Sequence, residues 1–290
     1  MSAKPEIGEI ESRTLSGSPR DFAWLYSPAP LRAVLGALLD IEREIGAALR
    51  AGLDHGVAHV RLAWWREECE RCAAGHPVHP ATRALLAAAA QRPIDPGGLV
   101  ASAEWDLAAA TFQTRAELEG YCERWASAVT AIAAEQAGAG AFGRAFGAAL
   151  REIELLIGLA GDARVGRLRL PLDELEAAGI DPSALSRLPW PPALRNLIEA
   201  RHHAARASLA ERAAALPASA QPALRGLLVW GTLAARASRR AVQAARRRGV
   251  PGSSHDAPGR VARFGDAWHA WRAARLADRC RFRIKQEQKT

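Results

Sequence analysis

The sequence predicts an all-α protein, and three observations carry that prediction. Ala-rich runs at 85–90 and 131–134 are set among straight-chain helix formers. The same stretches lack the β-branched density of strands. Proline and glycine signals divide the chain into segments of helical length. At 290 residues, 49% hydrophobic and 24% charged, the chain can bury a sizeable core, which excludes disorder over its whole length and suits one large domain or two small ones.

In chain order, helices are predicted over 29–51, 56–74, 80–91, 96–110, 115–137, 142–160 and 192–216, with another from 221 onward. Gly75-His76-Pro77 closes the second, and Arg92-Pro93 with Asp95-Pro96-Gly97-Gly98 separates the third from the fourth. Gly138 to Gly140 ends the fifth. Ile180-Asp181-Pro182 and Leu188-Pro189-Trp190-Pro191-Pro192 precede the seventh. No apolar stretch reaches the roughly 18 uncharged residues of a membrane span, and Met1 to Arg20 is polar with no signal-peptide core, so the expected location is cytoplasmic. P-loop, G-x-G-x-x-G, G-x-S-x-G and H-E-x-x-H motifs are absent, which removes nucleotide-binding, α/β-hydrolase and zincin readings.

Charge is unevenly distributed. The whole chain carries 39 Lys plus Arg against 31 Asp plus Glu, a net of +8. Residues 236–290 hold 15 basic and 4 acidic residues, a net of +11, while the first 235 hold 24 and 27, a net of −3. Arg236, Arg239, Arg240 and Arg247 share one side of a helix. A loop at 249–259 follows, then a last helix with Phe264, Trp268, Trp271 and Leu276 among Arg272, Arg275 and Arg279. That pattern suits an anionic membrane surface, reached peripherally from the inner face, or an Arg-rich solvated face packed through its tryptophans. Nucleic acid is disfavoured because no binding motif accompanies the charge. The expected organisation is a disordered segment at 1–20, a helical domain at 21–235 and a basic amphipathic extension at 236–290.

The four cysteines are too scattered for a disulfide framework. Cys69-x-x-Cys72 has no second pair to complete a tetrahedral zinc site and reads as two small apolar positions on a helix. His55 and His59, at i and i+4, read as exposed helix histidines.

Five strings occur in the order and spacing of the squalene/phytoene synthase family: Val60 to Glu68 (VRLAWWREE), Gly75 to Pro80 (GHPVHP), Trp105-Asp106-Leu107, Tyr121-Cys122, and Gly161 to Pro171 (GDARVGRLRLP). The chain resembles that family over about 21–216. The resemblance implies the isoprenoid synthase fold, a single helical bundle around a central cavity. It also implies head-to-head joining of two prenyl diphosphates in active members, with Mg²⁺ held by two D-x-x-x-D motifs on facing helices. The i, i+4 spacing puts both carboxylates of such a motif on one face.

Here both motifs are degraded. The first maps onto Gly46-Ala47-Ala48-Leu49-Arg50, with no carboxylate, and Asp40, Glu42 and Glu44 lie a turn earlier. The second maps onto Gly158 to Asp162, with Glu154 upstream. The resemblance makes Tyr121 the catalytic tyrosine, Arg43, Arg164 and Arg167 the diphosphate-binding residues, and Glu154 and Asp162 the remaining metal ligands. Ser127 and Thr130 stand where glycines are expected, which predicts a narrowed cavity.

The function expected from this pattern is a squalene/phytoene synthase-like protein that has lost prenyl transfer and acts as a lipid-binding or assembly-type protein, as a respiratory-complex assembly factor in the same family implies. Its partners would be a prenyl diphosphate or apolar isoprenoid lipid in the cavity, a membrane surface, or another protein, with no cofactor. The alternative is a divergent Mg²⁺-dependent head-to-head prenyltransferase.

Overall fold

The computed structural model describes residues 17–49, 54–248 and 260–284. Arg50, in the first degraded motif, lies outside the described residues, as do the segment 1–16 and the loop 249–259. Among the described residues the regular structure is helical throughout, with no strand.

The elements are α1 (Pro19–Tyr26), α2 (Ala29–Ala47), α3 (His55–Ala73), α4 (Pro80–Ala88), α5 (Gly98–Leu107), α6 (Arg115–Ala126), α7 (Ile132–Glu135), α8 (Gly140–Arg164), α9 (Leu172–Ala177), α10 (Pro192–Ala214), α11 (Arg225–Arg248) and α12 (Arg260–Asp278). The single helix expected over 115–137 is interrupted by a π-helical turn at Ser127–Ala131. Helix α1 begins inside the segment expected to be disordered. Its capping box explains why: Ser18 Oγ accepts from Asp21 N at 3.2 Å, Asp21 Oδ2 accepts from Ser18 N at 3.0 Å, and Pro19 opens the first turn. Helix α3 ends in a left-handed Gly75 (φ 84°), whose N–H reaches Cys72 O while His76 N reaches Arg71 O.

Helix α8 is the central element, packed against α6, α7, α10 and α11, with Phe146, Leu150, Ile153, Leu156 and Leu159 buried along it. The α6–α8 crossing is close because α8 carries Gly147. A Cβ there would fall 1.7 Å from Thr130 Oγ1, whose hydroxyl donates to Gly143 O at 2.7 Å. Helix α1 lies on α11 through a similar device: a Cβ at Gly226 would meet Ala23 O at 2.5 Å. Arg225 Nε then donates to Tyr26 O at 2.7 Å.

Helix α11 runs unbroken through the expected boundary at residue 235 and packs on α1, α8, α10 and α12. Its arginines are partly committed. Arg240 binds Asp266 of α12 through both terminal nitrogens at 2.7 and 3.0 Å, Arg236 reaches the same carboxylate at 3.4 Å, and Arg246 grips Glu199 of α10. The basic stripe is therefore in part a clamp between helices.

The string Gly75 to Pro80 folds around a buried carboxylate. Glu68 accepts from Val78 N at 2.9 Å, His79 N at 2.8 Å, the Thr82 hydroxyl and Arg71. Burial opposes its ionisation, but these donors hold it below the usual carboxylate range. His79 in turn caps α4. Cys69 and Cys72 lie in the core, where burial pushes their thiols up to about 12 and about 11.

Candidate functional site

A cavity of about 870 Å³ opens between α2, α5, α6 and α8, with the first turn of α1 across it. That volume lies within the range of small-molecule sites. Its apolar lining includes Leu39, Ile45, Leu49, Leu99, Ala103 and Trp125, and its polar lining includes Arg20, Glu42, Arg43, Asp106, Tyr121 and Arg151. Such a mixed wall fits a ligand with a polar head and an apolar chain.

Tyr121 is fully buried in the wall. Its hydroxyl donates to Asp106 Oδ1 at 3.1 Å and accepts from Arg151 Nη2 at 3.3 Å. Phe112 packs on the ring edge at 5.4 Å between centroids, and the guanidinium of Arg169 lies 5.5 Å from the ring centroid. Burial raises the phenol above its ordinary value against the pull of Arg151, so it stays protonated at neutral pH. Asp106 Oδ1 also accepts from Arg169 Nη1 at 2.7 Å, and Arg169 Nε reaches Asp162 Oδ2 at 3.4 Å.

Elsewhere in the wall, Arg20 joins two helices. Its Nη1 donates to Glu42 Oε2 of α2 at 2.5 Å. Its Nε and Nη2 donate to Glu154 Oε1 and Oε2 of α8 at 3.2 and 2.7 Å. The guanidinium is flanked by Trp125 and Trp230, with ring centroids 5.6 and 5.3 Å away. Both indoles take part: Trp125 Nε1 donates to Glu42 at 2.9 Å and Trp230 Nε1 to Glu154 at 3.1 Å. Arg151 Nη1 completes the set on Glu154 Oε2 at 3.2 Å. Although burial disfavours charge, Arg20 and Arg151 hold Glu154 below the usual carboxylate range, and Glu154 and Glu42 keep Arg20 protonated.

These contacts test the metal ligands that the resemblance implies. An ionised carboxylate offers about four lone-pair sites. Glu154 receives four donors, namely Arg20 Nε, Arg20 Nη2, Arg151 and Trp230, so no site is left for a cation. Asp162 is two helical turns further along α8, about 12 Å by helical rise, and faces Arg169 instead. Among the described residues no three His, Cys, Asp or Glu side chains gather as a metal site. The donor set does not fit a Mg²⁺ cluster built on Glu154 and Asp162.

The other expected site residues are scattered. Arg43 lines the cavity but is exposed and paired with Asp40 three residues earlier. Arg164 is exposed, Arg167 is half-buried, and neither lines the cavity; the residue of that run that turns inward is Arg169, 4% exposed. Ser127 and Thr130 do not narrow the cavity, because Thr130 is spent on the α6–α8 crossing and neither residue lines the space. Glu42 belongs to the acidic group already noted before the first motif; Arg20, Asp106, Arg151 and Arg169 are the residues that sequence reasoning missed. Asp106 and Arg169 stood within quoted strings, and Ser18-Pro19-Arg20-Asp21 carries a capping-box signal that could have placed Arg20 on a helix.

The squalene/phytoene synthase family model matches residues 16–262. The chain belongs to this family. Among solved structures, a dehydrosqualene synthase, crystallised in complex with ligand, superposes with a TM-score of 0.72 at 16% identity, covering 89% of this chain and 91% of that one. The squalene synthase HpnC from Alicyclobacillus acidocaldarius superposes with a TM-score of 0.55 at 20% identity, covering 79% of this chain and 100% of that one. Both likenesses establish the shared all-α isoprenoid synthase fold. No curated protein matches the sequence.

Proposed function

We propose that this family member has lost metal-dependent prenyl transfer and uses the cavity to hold an isoprenoid, either an apolar lipid or a prenyl diphosphate, in a binding or assembly role. The observation that carries the reading is the saturation of Glu154 by Arg20, Arg151 and Trp230 beside a first motif with no carboxylate. Ionising an allylic diphosphate demands concentrated positive charge on the leaving group. The guanidiniums that line the cavity are already committed to carboxylates, Arg20 and Arg151 within the wall and Arg43 to Asp40. Purified protein given Mg²⁺ and farnesyl or geranylgeranyl diphosphate should release no diphosphate above a protein-free blank. Mass spectrometry of an organic extract should find a co-purifying isoprenoid. A head-to-head product would overturn the reading in favour of a divergent prenyltransferase.

We also infer attachment to an anionic membrane surface, and the outward face of α12 supports it. Phe264, Trp268 and Trp271 are 77, 52 and 45% exposed, with the two indoles stacked at 5.1 Å. Arg272 and Arg275 are exposed on the same helix, and Arg279 is exposed in the turn that follows it. No helix among the described residues is long and apolar enough to cross a membrane, so the contact would be peripheral. Sedimentation with vesicles containing anionic lipid, compared with neutral vesicles, tests it; equal recovery with both would remove the support.

A further inference from the structure

We propose that Arg20 is a tethered counter-ion: its guanidinium holds together the facing carboxylates of Glu42 on α2 and Glu154 on α8 without any divalent cation. The inference rests on the reading that metal-dependent transfer has been lost, but it concerns a different property, the response of the fold to metal.

Charge balance is the first argument. The inner cluster contains two carboxylates, Glu42 and Glu154, and two guanidiniums, Arg20 and Arg151. It is neutral as it stands, so an added divalent ion would leave an uncompensated charge in a wall only 16 to 28% exposed at these side chains. Geometry is the second. A planar guanidinium presents a fixed fork that suits a bidentate carboxylate on one edge and leaves a donor for another acceptor. Arg20 uses Nε and Nη2 on Glu154 and Nη1 on Glu42, so every nitrogen is occupied. The third is the mounting. Arg20 sits in the first turn of a helix capped by Ser18 and seated on α11 at Gly226, and its guanidinium is flanked by Trp125 and Trp230. A side chain held this way is pre-organised as a bridge, whereas an ordinary surface ion pair is free to dissociate.

The test is thermal unfolding of the full chain with millimolar Mg²⁺ or Mn²⁺ and with EDTA. Wild type should melt at the same temperature in all three conditions. Arg20→Ala leaves two facing carboxylates in the wall with too little positive charge; it should melt roughly 10 °C lower, and the added metal should restore part of the loss. The double variant Arg20→Ala, Glu42→Gln leaves the neutral pair of Glu154 and Arg151, and it should regain stability without metal and ignore it when added. If Arg20→Ala does not fold, Arg20→Gln removes the charge and keeps polar bulk, and it should show the same metal rescue on a smaller scale. Two results would each overturn the proposal. One is stabilisation of wild type by Mg²⁺ that disappears in Glu42→Gln, Glu154→Gln. The other is an Arg20 variant that metal does not stabilise, which would make Arg20 an ordinary ion-pair partner. The outcomes separate from those of the turnover assay. An inactive protein stabilised by metal defeats the counter-ion and leaves the lost-transfer reading; a metal-free turnover does the reverse.

Discussion

The cavity wall and the outward face of α12 use the same residue types in opposite ways. In the wall, Arg20, Arg151 and Arg169 each meet two acceptor groups, and their neighbouring aromatics, Tyr121, Trp125 and Trp230, are buried. On α12, Phe264, Trp268 and Trp271 are exposed beside Arg272 and Arg275, with exposed Arg279 in the turn that follows. Arg275 lies 5.8 Å from the Trp271 ring, a contact made in the open. An aromatic–arginine pair is thus structural where carboxylates close the circuit and is available to a partner where they do not. The clamp of Arg236 and Arg240 on Asp266 makes the same distinction within the C-terminal part, since it fixes the inner side of α12 and leaves the outer side open.

Removing a wall arginine should have the largest effect. Arg151→Met keeps the length of the side chain, takes a donor from Glu154 and strips Tyr121 of one of its two hydroxyl partners. Breaking a buried charge pair costs about 3–5 kcal/mol, so chemical denaturation should show a loss near the lower end, because Arg20 still holds Glu154. A change under about 0.5 kcal/mol, typical of surface positions, would mean the wall is no more integrated than the α12 face.

A smaller effect should follow from pH. His202 of α10 is 2% exposed, shares a 2.9 Å hydrogen bond with Ser238 of α11, and has Arg206 at the same hydroxyl. Burial, and then the charge of Arg206, lower its pKa to about 4. The unfolded chain therefore takes up its proton first, near pH 6.5, so stability is full above that pH and falls as pH drops toward 4. The loss should reach about 2–3 kcal/mol, and a titration of His202→Gln should show a flatter profile over the same window. An unchanged profile would place the α10–α11 contact outside the rigid interior that supports α12.

Helix periodicity and turn residues made most of the fold legible, because most segments from α2 to α8 are bounded by Gly or Pro signals, while α6 starts instead at the Thr114 cap. The π turn at Ser127–Ala131 was not legible, since Ala128 to Ala131 are all buried and offer no polar face to mark a shift in register, and the glycines that Thr130 packs against, Gly143 and Gly147, lie on another helix. Helix α1 carried its signal in Ser18 and Asp21, but a single turn beside a polar segment offers little apolar periodicity. The site divided along the same line. Tyr121 could be read from a family string, and it does line the cavity. Its partners could not, because Arg20 and Glu154 are 134 residues apart and Arg169 and Asp106 are 63 apart, and no local spacing announces such pairs. The run Arg164, Arg167, Arg169 shows the limit within one string: spacing marks it as basic, and only packing decides that Arg169 turns inward.

The smallest expected effect on stability, and the most telling on binding, concerns the outer face. Trp268→Glu with Trp271→Glu removes two side chains already about half exposed, so the unfolding free energy should change by less than about 0.5 kcal/mol. Each indole seated at a bilayer interface would bury apolar area worth about 1–2 kcal/mol, so the double variant should bind anionic vesicles at least about tenfold more weakly. Replacing Arg272, Arg275 and Arg279 with Gln should weaken binding by about 1 kcal/mol per charge, and added salt should diminish that difference. The two variant sets report different physics. If the arginine set matters and the tryptophan set does not, α12 meets an anionic surface by charge alone. If neither matters, the exposed aromatics serve another partner, and the contrast with the cavity wall holds for the structure without extending to membranes.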